Sequence, residues 1–162
     1  MTLIFTLLKI LLALAALAAL VYALLIGAVL ANRAPLFDAP GVSERLHLYF
    51  TTNVAELSDQ PHLPELQARD DARDAAALYA QARLAVEKLG WEVAAHDDAQ
   101  HRIAAVVTTR LWKFKDDISI WVVAQPNGGS RLYARSQSRV GRGDMGANAR
   151  HLRELIEAIT VL

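Results

Sequence analysis

Two arginines ahead of a glycine-rich segment are the residues best placed to do chemistry in this sequence. Side chains alternate between the two faces of a strand, so Arg135 and Arg139 project from the same face of the strand predicted there. Gly141, Gly143 and Gly146 follow and lead into a predicted helix, whose first backbone N–H groups and dipole favour an anion. Two guanidinium groups near such a helix start could clamp a phosphate, a carboxylate or a lipid headgroup.

The same region permits a purely structural interpretation, and the sequence leaves both interpretations open. Neighbouring aspartates could neutralise the arginines, an aspartate or asparagine could cap the helix, and the glycines could serve only to give the loop positive φ angles. We define the candidate anion or partner site by seven residues: Arg135, Arg139, Arg142, Asp144, Asn148, Asp116 and Asp117.

Other groupings predict neither catalysis nor a metal centre. His96, Asp97, Asp98 and His101 surround one hairpin turn and could hold a divalent cation loosely, but a solvated turn is the simpler interpretation. Ser136 and Ser138 have no histidine at a position that the sequence suggests, and His151 could at most assist the arginine cluster. We therefore name no catalytic residue, no metal ligand and no cofactor, and we expect a protein that is not an enzyme.

The charge balance excludes one class of partner. Seventeen basic and seventeen acidic residues leave no net charge, so the bulk electrostatics do not indicate nucleic-acid binding. The sequence contains no cysteine, which removes disulfides and thiolate chemistry.

An aromatic and basic alternation runs from Trp112 to Lys115. Exposed, it would suit membrane headgroups or a partner surface. On a strand, however, Trp112 and Phe114 share one face, so we expect them to pack in the core while Lys113 and Lys115 point outward.

The N-terminal run, residues 10–31, is predicted to span a membrane. Ile10 to Ala31 contains 22 residues without charge or proline, enough as a helix to cross a hydrocarbon layer of ~30 Å. Cleavage after Val29-Leu30-Ala31 stays open as an alternative, because small residues suit a signal peptidase. As a retained signal anchor, it predicts a single-pass protein of the bacterial inner membrane with its domain in the periplasm.

Small residues recur along this segment at intervals of four, which could let another transmembrane subunit approach closely. They are Ala19, Ala23, Gly27 and Ala31. The alternative is an alanine-rich span without a partner. Alanine is so frequent in this segment that small residues four positions apart also arise by chance.

The chain divides into an anchor at residues 1–31, a proline-containing linker at 32–41 and one soluble domain at 42–162. Period-two alternation predicts an extended piece over Arg45–Asn53. Helices are predicted over Asp70–Leu89, which Gly90 ends, and over Gly146–Thr160.

Four strands are predicted between these two helices: Trp91–Ala95, Arg102–Leu111, Asp117–Ala124 and Arg131–Ser138. Turns at Asp97-Asp98 and Pro126-Asn127-Gly128-Gly129 make neighbours antiparallel. The fold class is therefore α+β: a single N-terminal transmembrane helix followed by a four-stranded antiparallel sheet with two helices on one face.

Two motifs resemble those of the domain of unknown function 1499 family. One is the aromatic-lysine-Asp-Asp block within Thr108–Asp117, and the other is the arginine-serine-x-serine-arginine-x-glycine block that continues to Asn148. The resemblance covers about Thr51 to Ile159; Thr51-Thr52-Asn53 is a weaker match to a threonine-threonine-aspartate motif, with Asn53 in the acidic position. The resemblance to this family implies a bacterial protein, commonly exported or membrane-attached, and supplies no established reaction.

Together these observations predict a membrane-anchored envelope protein that binds a partner or a small anionic ligand without catalysis. An accessory subunit of a larger membrane complex is an alternative, and an enzyme acting on an envelope lipid or glycan is another.

Overall fold

An antiparallel sheet is the centre of the domain in the computed structural model, which describes residues 2–109, 113–126 and 128–161. Within that part of the chain the sheet has six strands: β1 Val54–Leu57, β2 Asp70–Asp71, β3 Glu92–Asp97, β4 Arg102–Thr108, β5 Lys115–Ala124 and β6 Ser130–Ser138. The spatial order is β1-β6-β5-β4-β3, and β2 also pairs with β6. The predicted α+β class with an antiparallel sheet is confirmed, whereas the prediction of four strands is wrong.

Helices flank the sheet and precede it. They are α1 Thr2–Ala31, α2 Val42–Thr51, α3 Ala75–Lys88 and α4 Ala147–Thr160, with a short 3₁₀ turn at Pro64–Leu66.

The predicted end of one strand at Leu111 and the predicted core packing of Trp112 lie outside the described residues, as do Asn127 of the hairpin turn and Leu162. Phe114 is described, and it is half exposed in the segment between β4 and β5, so its predicted place in the core is wrong.

Residues 42–51 form a helix, so the extended piece predicted over Arg45–Asn53 is wrong. The apolar side chains at alternate positions there are only partly buried. The fully buried side chains are instead those of Arg45 and Tyr49, four residues apart and hence on one helix face. A pattern of apolar residues does not predict that Arg45 is buried. Its partner, Glu65, is remote in sequence, so no local signal indicates the ion pair.

The helix predicted over Asp70–Leu89 begins later than its acidic residues suggest. Asp74 is the N-cap of α3, and its side chain accepts a hydrogen bond from the Ala77 backbone at 2.8 Å. Asp70 and Asp71 form β2 instead. Arg131 holds Asp70 there with an ion pair of 2.7 Å.

One face of the sheet carries the core beneath α3 and α4. Burial alternates along β5 and β6, as the period of a strand requires. Ile118, Ile120 and Ala134 from the strands meet Leu78 from α3 and Leu155 from α4, and each is at most 1% exposed. Such burial stabilises the fold by about 1.5–3 kcal/mol for each large apolar side chain.

Helix α1 projects from the domain yet is fixed to it at one end. Its residues 3–24 are exposed, whereas Val29 is fully buried in the domain core. The Asn32 side-chain amide donates to the Met145 carbonyl at 2.9 Å, and the Arg153 guanidinium donates to the Arg33 carbonyl at 2.8 Å. Among the described residues, Leu3–Ala31 is the one helix long and apolar enough to cross a membrane.

Candidate functional site

The predicted site residues separate onto the two faces of the sheet. Arg135 and Arg139 share one face as predicted, but this face is the open one, opposite α3 and α4. The Arg135 Nε lies 3.1 Å from the Glu56 carboxylate, and the Arg139 Nη2 lies 2.7 Å from that of Asp117. The two arginines therefore do not converge on the start of α4, and that part of the prediction is wrong.

Each of these arginines already has an acidic partner. The hydrogen bond from Arg139 lowers the pKa of Asp117 and raises the pKa of Arg139 itself. Both side chains of this pair are about half exposed, at 47% for Arg139 and 51% for Asp117. Solvent-exposed pairs stabilise a fold weakly, so these arginines form neither a strong scaffold nor an uncompensated anion clamp. Arg142 lies exposed in the loop before α4.

Asp144 and Asn148 lie together at the start of α4, where the sequence analysis proposed a cap. The Asp144 carboxylate accepts hydrogen bonds from the backbone of Gly146 at 2.8 Å and of Asn148 at 3.0 Å. It also accepts one from the Asn148 side-chain amide at 2.6 Å. Burial raises the pKa of Asp144 in spite of these bonds. Asp144 therefore caps the helix and occupies the anion position that the predicted ligand would need.

Asn148 is fully buried and joins three segments of the chain. Its amide group also reaches the Asn53 carbonyl at 2.9 Å and the Ser138 hydroxyl at 3.0 Å, and its carbonyl accepts from the Ser136 hydroxyl. Asn53 in turn donates to the Gly141 carbonyl at 2.8 Å. The residue in the acidic position of the threonine-threonine-aspartate motif is thus a backbone-binding link between the end of α2 and the loop before α4.

Asp116 and His151 form a second buried pair, which the sequence analysis missed. The Nδ1 of His151 lies 3.7 Å from the Asp116 carboxylate and 3.5 Å from the Ser136 hydroxyl. Burial, followed by the charge of Arg150, lowers the pKa of His151 to about 3. Burial raises the pKa of Asp116. We call Asp116, Ser136, Ser138, Asn148 and His151 the inner cluster.

The inner cluster contains a serine, a histidine and an aspartate, but not in a catalytic arrangement. A catalytic triad needs the serine and the aspartate on opposite ring nitrogens. Here Ser136 and Asp116 both face Nδ1, while Nε2 lies 3.2 Å from the Arg150 guanidinium. All three side chains are at most 2% exposed, so no substrate reaches the serine.

A cavity of about 340 Å³ lies beside α2 and β1, and we call it the α2 cavity. Its apolar lining includes Leu48, Leu63 and Leu66. Its polar lining includes Glu56 and Asp144. This cavity is not predictable from the sequence, because its walls come from α2, β1, the 3₁₀ turn and α4, which only the fold brings together.

The charged side chains that line the α2 cavity are acidic: Asp144, and Glu56, which pairs with Arg135 on the open face of the sheet. Neither lysine nor arginine occurs among the described residues that line it, and the one imidazole there, His62, is exposed. Thr52, also exposed, lies at its edge. The geometry suits a molecule with an apolar part and a hydrogen-bond-donating or cationic group, rather than an anion.

The turn with His96, Asp97, Asp98 and His101 has other contacts. Asp98 accepts a hydrogen bond from the Tyr79 hydroxyl at 2.6 Å and pairs with Arg83 at 3.2 Å. Within the described ranges no group of three or more histidine, aspartate or glutamate side chains is arranged to hold a metal ion.

Comparisons with known proteins identify a family and no activity. The sequence model of the family "Protein of unknown function (DUF1499)" matches residues 40–159. No curated protein matches the chain. A crystal structure of a Deinococcus radiodurans protein is similar at 15% identity, covering 67% of this chain and 98% of that one, with a TM-score of 0.37.

Proposed function

Because this chain belongs to the DUF1499 family of proteins of unknown function, its role has to be argued from its site, and we propose that it is a membrane-anchored, non-catalytic binding protein. Its α1 helix holds it in the bacterial inner membrane as a single span, with the domain in the periplasm. Its ligand site is the α2 cavity, and its ligand is a small amphipathic molecule.

The observation that carries this proposal is the position of Asp144. This carboxylate lines the α2 cavity and is also held by two backbone N–H groups and the Asn148 amide. A polar group so fixed at the wall of a cavity that also has apolar walls can orient a ligand at little entropic cost. The ligand's donor would meet Asp144, and its apolar part would pack on Leu48, Leu63 and Leu66.

The paired arginines disfavour the anionic ligand predicted from the sequence. An anion at Arg135 or Arg139 would have to displace Glu56 or Asp117. In the α2 cavity it would meet the Asp144 carboxylate and no basic side chain among the described lining residues. A neutral or cationic group avoids both penalties.

Two adjacent threonines give a matched test of the cavity. Thr51 and Thr52 are both exposed, and each hydroxyl donates to the carbonyl four residues earlier, at 2.6 and 2.9 Å. Only Thr52 lines the α2 cavity. Thr52→Trp should fill the cavity mouth, and Thr51→Trp should leave it open.

Native mass spectrometry of the full-length chain, released gently from its membrane, then reads out the occupant. We expect a bound small molecule with the wild type and with Thr51→Trp, and its loss with Thr52→Trp. Equal occupancy in both variants would contradict a site in the α2 cavity.

The accessory-subunit alternative is favoured by one observation on α1. The small residues Ala19, Ala23, Gly27 and Ala31 are exposed and lie on the side of the helix away from Val29, which docks the domain. An added Cβ at Gly27 would meet nothing within 4 Å. This face is therefore open to another helix in lipid.

Replacing Ala23 and Gly27 with leucine tests that alternative. If α1 recognises another subunit, the double variant should lose partners that co-purify in gentle detergent, while Ala18→Leu on the opposite face should retain them. Unchanged co-purification would count against the accessory role.

A further inference from the structure

The three most exposed large apolar side chains between α1 and the last two residues of the chain lie in loops, and not in helices or strands. Among the described residues they are Phe37 at 90%, Val140 at 65% and Phe114 at 50% exposed. Isolated exposed apolar residues need no explanation, but several on one part of a surface indicate contact with another phase or partner.

Hydrogen bonds link the loops of Val140 and Phe114 to the end of the domain where α1 docks, and Phe37 lies in the connector that leaves α1. The loop that contains Val140 reaches α1 through the Met145 carbonyl, which accepts from the Asn32 amide at 2.9 Å. The same loop begins at Arg139, whose N–H donates to the Lys115 carbonyl at 3.0 Å, next to Phe114. Phe37 lies in the connector between α1 and α2, at most ~20 Å from the end of α1 by chain length.

The connector is held rigidly, so the exposure of Phe37 is built into the fold. The Asp38 carbonyl accepts hydrogen bonds from the Gly41 N–H at 2.8 Å and from the Arg45 Nε at 3.1 Å. Arg45 is itself anchored by Glu65 at 2.8 Å. The backbone beside Phe37 is therefore tied to α2, with the phenyl ring at the surface.

We propose that this end of the domain, with Phe37, Val140 and Phe114, lies in the headgroup layer of the bilayer that α1 crosses. The inference rests on the membrane anchor of the proposed function and adds to it a fixed orientation of the domain on the lipid surface. Phenylalanine and other apolar side chains of membrane-surface segments enter the boundary between headgroups and acyl chains. Exposed basic residues, Arg33, Lys113, Lys115 and Arg142, accompany them and suit anionic lipid phosphates.

The sequence contains no cysteine, so a single introduced cysteine can be labelled with a thiol-reactive fluorophore at that position alone. Full-length chains with Phe37→Cys, Val140→Cys or Phe114→Cys carry an environment-sensitive fluorophore in vesicles of phosphatidylethanolamine and phosphatidylglycerol. Nitroxide groups near the top of the lipid acyl chains quench labels at that depth. Ala15→Cys, inside α1, reports insertion of the helix. Val123→Cys, ~30 Å away along β5 from Phe114, reports the far end of the domain.

We expect roughly two-fold quenching at positions 37, 140 and 114, quenching of Ala15→Cys by nitroxides placed deeper in the chains, and none at position 123. Quenching at position 15 without quenching at 37 and 140 would overturn the surface proposal and leave the anchor standing. No quenching at position 15 would overturn the anchor, and the surface proposal with it.

Discussion

The Asp144 carboxylate lies 2.6 Å from the side-chain amide of Asn148, and this contact joins the wall of the α2 cavity to the inner cluster. Asn148 is buried among Ser136, Ser138 and the Asn53 carbonyl. The carboxylate that faces the cavity is therefore supported from behind by a set of hydrogen bonds, which fixes its direction before any ligand arrives.

Asn148→Ala tests this support. It removes the acceptor of the buried Ser136 hydroxyl and the side-chain donor to the Asp144 carboxylate, and each buried group that loses its partner costs about 1–3 kcal/mol. We expect a loss of roughly 2–4 kcal/mol in unfolding free energy, measured by denaturant titration. Glu157→Ala, at an exposed position of α4, is the control, and equal stability of the two variants would refute the role of Asn148.

The buried imidazole of His151 predicts acid sensitivity. Its folded-state pKa is lowered from 6.5 to about 3, so as the pH falls below 6.5 the unfolded chain takes up a proton that the folded chain refuses. The stability that neutral His151 contributes is present above pH 6.5 and declines by up to about 1.4 kcal/mol per pH unit as the pH falls towards 3.

His151→Gln removes that titration. The raised pKa of Asp116 has the opposite sign, because a carboxyl that protonates more readily in the fold stabilises it in acid. The informative quantity is therefore the difference between the wild-type and His151→Gln stability profiles. As the pH falls below 6.5, the wild type should lose unfolding free energy relative to His151→Gln. Parallel profiles would show that His151 has the same pKa in the folded and unfolded chains.

The buried ion pair between Arg45 and Glu65 should dominate the packing of α2. Arg45 is fully buried and pairs with both carboxylate oxygens at 2.8 Å. Burial alone would raise the pKa of Glu65, but the hydrogen bond from Arg45, a backbone hydrogen bond and the charges of Arg45 and Arg153 together outweigh burial and lower this pKa.

Arg45→Met should lower the unfolding free energy by about 3 kcal/mol or more. It leaves the Glu65 carboxylate without its cationic partner, and the connector carbonyls of Asp38 and Ala39 without the arginine donor. Glu44→Ala, at the exposed neighbouring position, should have little effect. Thermal unfolding monitored by circular dichroism compares them; a wild-type Tm in Arg45→Met would mean that the pair is dispensable.

Arg135→Ala and Arg139→Ala should leave the fold intact. Their acidic partners are at least half exposed, so water replaces the lost pairs. We expect wild-type thermal unfolding curves for both. A Tm lowered by many degrees in both variants would assign these arginines to the scaffold.

The sequence predicts most of the sheet and the faces of its strands. Alternation in β6 separates Arg135 from Ser136 correctly, because burial on one side of a sheet enforces a period of two. β2 was not predictable in this way, since it is two aspartates long and depends on Arg131, which lies 61 positions after Asp70.

The site is less predictable than the fold because its contacts join distant segments. Asp144 as a cap could be considered from its spacing to Asn148. By contrast, nothing local connects Asp116 to His151, or Thr52 to Leu66. The polar residues that matter most are buried, and the patterns that place apolar residues inside say little about them.

The central claim is that the α2 cavity binds the donor end of an amphipathic molecule. Titration calorimetry of the full-length chain in nanodiscs, with octylamine and with octanoate as the probes, tests it most directly. We expect saturable octylamine binding to the wild type and to Thr51→Trp, its loss in Thr52→Trp, and no saturable binding of octanoate. Octanoate binding as tight as octylamine binding, or octylamine binding that Thr52→Trp leaves unchanged, would contradict it.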